Sequence, residues 1–255
     1  MKINNHYSKL TGLVLLLSVL STSFAAESKK DWPSPIEDSL NYSFLLFDQL
    51  EYQNNDNSPD TFSWDVLGWY GGDYNRLWFK TEGSDQTEGE NTGEGEVQLL
   101  YGRLISPFWD FQAGVRYERL YGGAGPDLSR SFAVIGLQGM APYLFEVDSA
   151  LFLSEDGDTS ARITAEYSIL FSQRLILVPS IEVNLAAQDV LNFGVGKGLN
   201  NIELGLRLRY EIKREFAPYI GINWNKLYGN TADFARNEGE AVDDLSVVGG
   251  IRLWF

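Results

Sequence analysis

Cysteine is missing from all 255 residues, so neither a disulfide framework nor a thiol nucleophile is available. An exported domain without disulfides needs another source of stability, and a closed, hydrogen-bonded barrel in lipid would supply it. Histidine occurs once, as His6, and methionine twice, as Met1 and Met140. Beyond the N-terminal segment, no stretch approaches the roughly 18 consecutive apolar residues of a membrane helix. If the chain meets a membrane, strands carry it across. Basic residues are also scarce, with 20 Lys and Arg against 35 Asp and Glu. That balance excludes nucleic acid as a partner.

Residues 1–25 combine Lys2 and Lys9, the apolar run Leu13-Val14-Leu15-Leu16-Leu17, and Ser23-Phe24-Ala25 as a small-x-small cleavage site. This predicts a Sec-type signal peptide and export. Its removal takes away His6, Met1 and two lysines, leaving a more acidic chain. Residues 26–41, with Asp31-Trp32-Pro33-Ser34-Pro35, read as a short periplasmic tail, and 42–255 as a single domain.

The segment Asn201 to Ile212 alternates without a break. Ile202, Leu204, Leu206, Leu208, Tyr210 and Ile212 fall on one side, and Asn201, Glu203, Gly205, Arg207, Arg209 and Glu211 on the other. Period two is a strand. One wholly apolar face opposite a charged one fits a transmembrane barrel strand, and equally the strand of a soluble sandwich.

The connectors separate the two. Strand-like segments are expected near 42–53, 60–70, 74–82, 95–105, 108–119, 131–141, 144–153, 160–172, 174–186, 200–213, 215–226 and 244–255. Between them, longer links (54–59, 83–94, 120–130, 154–159, 187–199, 227–243) alternate with shorter ones (71–73, 106–107, 142–143, 173, 214). Outer-membrane barrels show this rhythm of long outer loops and short periplasmic turns, with an even strand count and both termini inside. The expected fold is therefore all-β, a transmembrane antiparallel up-and-down β-barrel of about twelve strands with periplasmic termini.

Acids such as Glu88, Glu90, Glu94, Asp127, Asp156, Asp189, Asp233 and Glu240 fall in the longer links, either as solvated loop charge or as a cation-attracting vestibule. Aromatics cluster where strands meet turns, as Tyr70, Tyr74, Phe108, Trp109, Tyr143, Phe171, Tyr210 and Phe216 at one end and Tyr117, Trp224 and Tyr228 at the other. Such rings suit two interfacial girdles. The last strand ends Ile251-Arg252-Leu253-Trp254-Phe255, which resembles the terminal signal that barrel-assembly machinery recognises.

Alternation places Arg76, Lys80, Glu82, Gln112, Arg116, Glu118, Glu146, Asp148, Arg162, Glu166, Glu182, Glu203, Arg207, Arg209, Glu211 and Arg252 on inward faces, lining the lumen. About twelve strands lie between a barrel filled by side chains and an open pore, which leaves a narrow wet lumen at most. Mixed charge there predicts cross-strand ion pairs, because an unpaired buried charge is costly. The alternative is a substrate path. Strand 95–105 has no clear inward face, since Arg103 shares a side with Val97, Leu99 and Tyr101.

Catalysis is not expected. With no histidine or cysteine past residue 25, a serine or cysteine triad has no base. No phosphate-binding loop opens a helix. Glu146 and Asp148 could in principle do acid–base work, but acids at i and i+2 of a strand more often fill salt bridges.

The runs Trp69 to Trp78, Gln98 to Tyr101, Trp109 to Arg116, Gly136 to Tyr143, Gln173 to Leu177, Ile202 to Ile212 and Glu215 to Tyr219 resemble the copper resistance protein B family, CopB, of Gram-negative outer membranes. The resemblance extends from about Phe44 to Phe255 and implies a copper resistance role, by binding copper or assisting its efflux across the outer membrane. It also implies copper as the metal handled, outer-membrane lipids as surroundings, and periplasmic copper-handling proteins as possible partners. Family members commonly carry a methionine- and histidine-rich segment before the barrel, and residues 27–41 contain neither residue. Met140, Glu146 and Asp148 are the remaining candidate metal ligands, one soft and two hard. The competing function is a small passive channel or structural barrel without metal specificity.

Overall fold

The computed structural model describes residues 40–87, 92–122 and 126–255. The expected signal peptide, most of the tail before the barrel, and Glu88 and Glu90 lie outside these. Twelve antiparallel strands close on themselves. They are β1 (Tyr42–Asn55), β2 (Thr61–Gly71), β3 (Asn75–Gln86), β4 (Gly93–Ser106), β5 (Trp109–Tyr121), β6 (Leu128–Ala141), β7 (Phe145–Ser154), β8 (Thr159–Glu166), β9 (Leu175–Ala186), β10 (Gly198–Tyr210), β11 (Phe216–Leu227) and β12 (Asp243–Trp254). Each pairs with its neighbours in sequence, and β1 pairs with both β2 and β12. Every expected segment is a strand.

The surface is inverted relative to a water-soluble domain. Val115, Ile220 and Val247 are 60, 67 and 61% exposed, whereas Glu51 is 0% exposed. A wall that is apolar outside and charged inside is stable only where its surroundings are hydrocarbon. Closure leaves no strand edge unpaired in that medium. Phe255 fastens the seam: its N–H donates to Leu45 O at 2.8 Å, its own carbonyl accepts from Leu45 N–H at 3.0 Å, and its ring lies edge-on to Phe47.

Local irregularities re-aim the wall. β1 carries a bulge after Phe47, seen as register shifts against both β2 and β12. A bulge adds a residue to one strand, so the inward positions change from even (Phe44, Leu46, Asp48) to odd (Glu51, Gln53). β8 breaks after Glu166 and resumes as Ile169–Leu170 against β9. Pro179 of β9 explains the break. Its carbonyl still accepts from Tyr167 N–H at 3.1 Å, but on that same edge it has no N–H to return.

The ambiguous strand resolves. In β4, Val97, Leu99 and Tyr101 point outward and Glu96, Gln98 and Leu100 are buried, so Arg103 lies on the outer surface near a short turn. Glu94, expected in a loop, belongs to β4.

The link after β11 contains a helix that simple alternation does not reveal, α1 (Gly229–Glu238). A link of that length is rarely structureless. Ala232 and Ala235, three apart, bury one face of α1, and Gly239 closes it in the left-handed conformation at φ 81°.

Candidate functional site

The inward side chains divide into two walls. On the β2–β7 side, Trp78, Leu100, Phe132, Val134 and Phe152, from β3, β4, β6 and β7, form a buried apolar pad, with Leu67 and Trp69 of β2 packed against it. Arg116 lies against it, its guanidinium 5.0 Å from the Phe132 ring centre and 4.6 Å from that of Phe152, and it pairs with Glu96 at 2.5 Å and Glu118 at 3.4 Å. Arg130 holds the same oxygen of Glu118 at 3.0 Å. Stacking on rings desolvates these cations, and the paired carboxylates offset the cost.

The opposite wall is built around Glu51. Arg207 of β10 grips it in a fork, with Nε at 2.9 Å from one oxygen and Nη2 at 2.8 Å from the other, and Nη2 also reaches Gln49 at 3.1 Å. Gln53 donates to Glu51 at 2.8 Å. Arg252 pairs with Asp48 on this wall, and on the first wall Arg76 pairs with Asp110 at 3.1 Å.

Two chambers occupy the lumen. The one toward the short-turn end measures about 590 Å³ and the one toward the long loops about 620 Å³. Asp65, Glu82, Glu96, Arg162, Glu182 and Glu203 line both and mark the waist between them. Arg162 pairs there with Glu82, with Glu96 at 3.1 Å and with Glu182 at 3.6 Å, and its Nε donates to Asn184 at 3.2 Å. Among the described residues, ten carboxylates face five basic groups in the first chamber and ten face three in the second. The lumen is therefore net negative. Asp65, Glu166 and Glu203 form no ion pair among the described residues.

Lys80, Glu82, Glu146, Asp148, Arg162, Glu166, Glu182, Glu203, Arg207, Arg209 and Arg252 line the first chamber, Arg116 and Glu118 the second, and Gln112 the first. Arg76 and Glu211 lie toward the short-turn end, the latter paired with Arg214 at 3.2 Å. Reasoning from alternation missed Asp48, Glu51, Asp65, Glu96, Asp110 and Arg130. The β1 bulge hid the first two and the parity of β4 hid Glu96; the inward acids of β2 and β5 and Arg130 at the start of β6 were legible as alternating positions.

The candidate metal ligands share one inner surface. Met140 lies opposite Glu146, and Gln138 opposite Asp148, across β6 and β7. Asp148, however, is taken by Lys80. Among the described residues, no three His, Cys, Asp or Glu side chains stand close enough to hold a metal ion.

The outer mouth is partly covered. Phe193, in the link between β9 and β10, sits 3.7 Å from the Arg130 guanidinium. The same link meets α1, where Gly196 N–H donates to Thr231 Oγ1 at 2.9 Å, and a side chain at Gly196 would collide with the backbone of Thr231. Asp189 ties the two links together by accepting from the Asn230 side chain at 2.9 Å and from Lys197 N–H at 2.7 Å. These bonds, that of Asn230 foremost, hold the Asp189 carboxyl below its usual pKa. The tie is thus complete above the ordinary carboxylate range and is lost as pH falls through the depressed value. Asp189→Ala is expected to speed hydrogen exchange in 189–197 and 229–238 while leaving exchange in the strands unchanged; equal protection in both links would count against the tie.

A net-negative, two-chambered lumen inside a lipid-facing wall invites comparison with known barrels. The family model described as copper resistance protein B precursor, CopB, matches residues 41–255. This chain belongs to the copper resistance protein B family. Copper resistance protein B of Escherichia coli is 48% identical over 219 residues, covering 86% of this chain and 71% of that one. The copper resistance protein B homolog of Pseudomonas syringae pv. tomato is 42% identical over 220 residues, covering 86% and 72%. Among solved structures, the NanC porin shares the fold at a TM-score of 0.52 and 13% identity, over 82% of this chain and 98% of its own. Family membership and the closed barrel together place the protein in the outer membrane with a role in copper resistance, and the short-turn end faces the periplasm.

Proposed function

We propose that the barrel supports copper resistance by passing cations, copper among them, through its acidic lumen, and that its wall holds no tight copper store. The excess of carboxylates over basic groups in both chambers carries this reading. A cleft lined by one sign of charge raises the local concentration of the opposite ion. Carboxylates are hard ligands that hold Cu(II) loosely and Cu(I) poorly, which favours release over retention. Soft-ligand capture is then the work of periplasmic copper-handling proteins, and the barrel performs no covalent chemistry.

Two measurements test this. A strain lacking the gene should lose growth at toxic copper and regain it with the intact gene, and the purified barrel in a planar bilayer under a KCl gradient should show a reversal potential on the cation side. Unchanged growth without the gene would remove the copper role. A reversal potential on the anion side would remove the cation path.

A further inference from the structure

The waist is crossed twice. Lys80 of β3 pairs with Asp148 of β7, while Arg162 of β8 pairs back with Glu82 of β3 and Glu96 of β4. Lys80 and Glu82 are successive inward positions of β3. Asp148 stands opposite Thr164, the inward neighbour of Arg162 on β8. The bridges are therefore stacked rungs of opposite polarity, and they join walls four or five strands apart through the lumen. The other interior pairs, such as Arg116–Glu96, Arg76–Asp110 and Arg207–Glu51, join strands at most three apart around the wall.

Position and exposure set these rungs apart. Backbone ladders already close the barrel, so no strand pairing depends on the rungs. Two of their acidic ends remain open to the chambers: the Asp148 and Glu82 side chains are 34 and 37% exposed, whereas Glu96 is 5% exposed and stays held by Arg116. A pair whose acid is wetted is weaker than a fully buried one, and a mobile cation can compete for that acid. Arg162 also has a resting place on its own side, at Glu182 and Asn184.

We infer that the Lys80–Asp148 and Arg162–Glu82 rungs are the gate of the lumen, and that a hydrated cation crosses by taking Asp148 from Lys80 and Glu82 from Arg162. This deepens the proposed cation path and rests on it. The gate selects by charge, because the groups an ion must engage are acids and the groups it displaces are cations. An anion has only the displaced cations to meet, within a ring of carboxylates that repels it.

The test compares single-channel conductance in KCl of the barrel purified from outer membranes with that of Arg162→Gln, Lys80→Gln and the double variant. Each single change is expected to raise conductance severalfold and the double further, with cation preference kept. Arg119→Gln, which breaks the exposed outer pair with Asp127 at 2.6 Å, should conduct as the parent does. Heat-modifiable gel migration confirms that each variant is folded, and because the two rungs are opened independently, either single variant suffices. Parent-like conductance in the folded variants would overturn the gate. A parent barrel without cation preference contradicts the proposed function instead, since the gate is read from the ratio of variant to parent.

Discussion

Replacing Arg207 with Met is expected to lower the unfolding free energy of the barrel by about 3–5 kcal/mol, the range for removing one partner of a buried ion pair. Glu51 has no exposure to solvent, and both its oxygens are engaged by the Arg207 fork. Without the guanidinium the remaining neighbours are neutral: Gln53 donates to a single oxygen, and the Tyr219 hydroxyl lies alongside the carboxylate. The charge is then buried with neutral partners only. Because β1 is the strand on which the seam closes, the cost falls on closure. The readout is urea unfolding of the detergent-solubilised barrel, together with the temperature at which the compact band on an unheated gel disappears. Glu51→Gln/Arg207→Met should recover much of the loss, because no charge is left behind. A double variant as unstable as the single would mean that Arg207 acts through packing of its stem alone.

The second large effect concerns ion flow. At pH 9, where all three carboxyls are charged, neutralising Asp65, Glu166 and Glu203 together, as Asp65→Asn/Glu166→Gln/Glu203→Gln, should reduce the cation-to-anion permeability ratio roughly tenfold, the lower end of what a one-signed cleft contributes. These three acids are chosen because none forms an ion pair among the described residues. Their loss removes field from the lumen while leaving the paired charges around the waist with their partners. Reversal potentials under a KCl gradient measure the ratio directly. A triple variant with the parent's reversal potential would show that the loop acids, and not the lumen, set ion preference.

Much of the wall was legible in the amino-acid order. The run Asn201 to Ile212 shows outward Leu204 and Leu206 and buried Arg207, as its alternation requires. The long and short links fall at opposite ends, and the aromatics beside the short turns, Tyr70, Tyr74, Phe108 and Tyr143, are exposed there. The site was legible only as a set of inward charges. Arg207 was expected to need a partner, but Glu51 was not identified, because the bulge after Phe47 reverses the alternation of β1. The α1 helix was missed for a similar reason: its signal is a pair of alanines three apart within a polar link, too short a stretch to stand out.

Sequence alone determined that this is a lipid-facing wall with a charged inside and a dozen or so strands. That property is local, since adjacent residues of a strand point to opposite faces and a turn is decided by the few residues within it. Tertiary structure decided which charges meet. Arg207 and Glu51 are 156 residues apart and Arg162 and Glu82 are 80 apart, so their pairing depends on strand order, stagger and closure acting together. The same closure sets the waist between the chambers, because the width of a barrel belongs to the ring as a whole and to none of its strands.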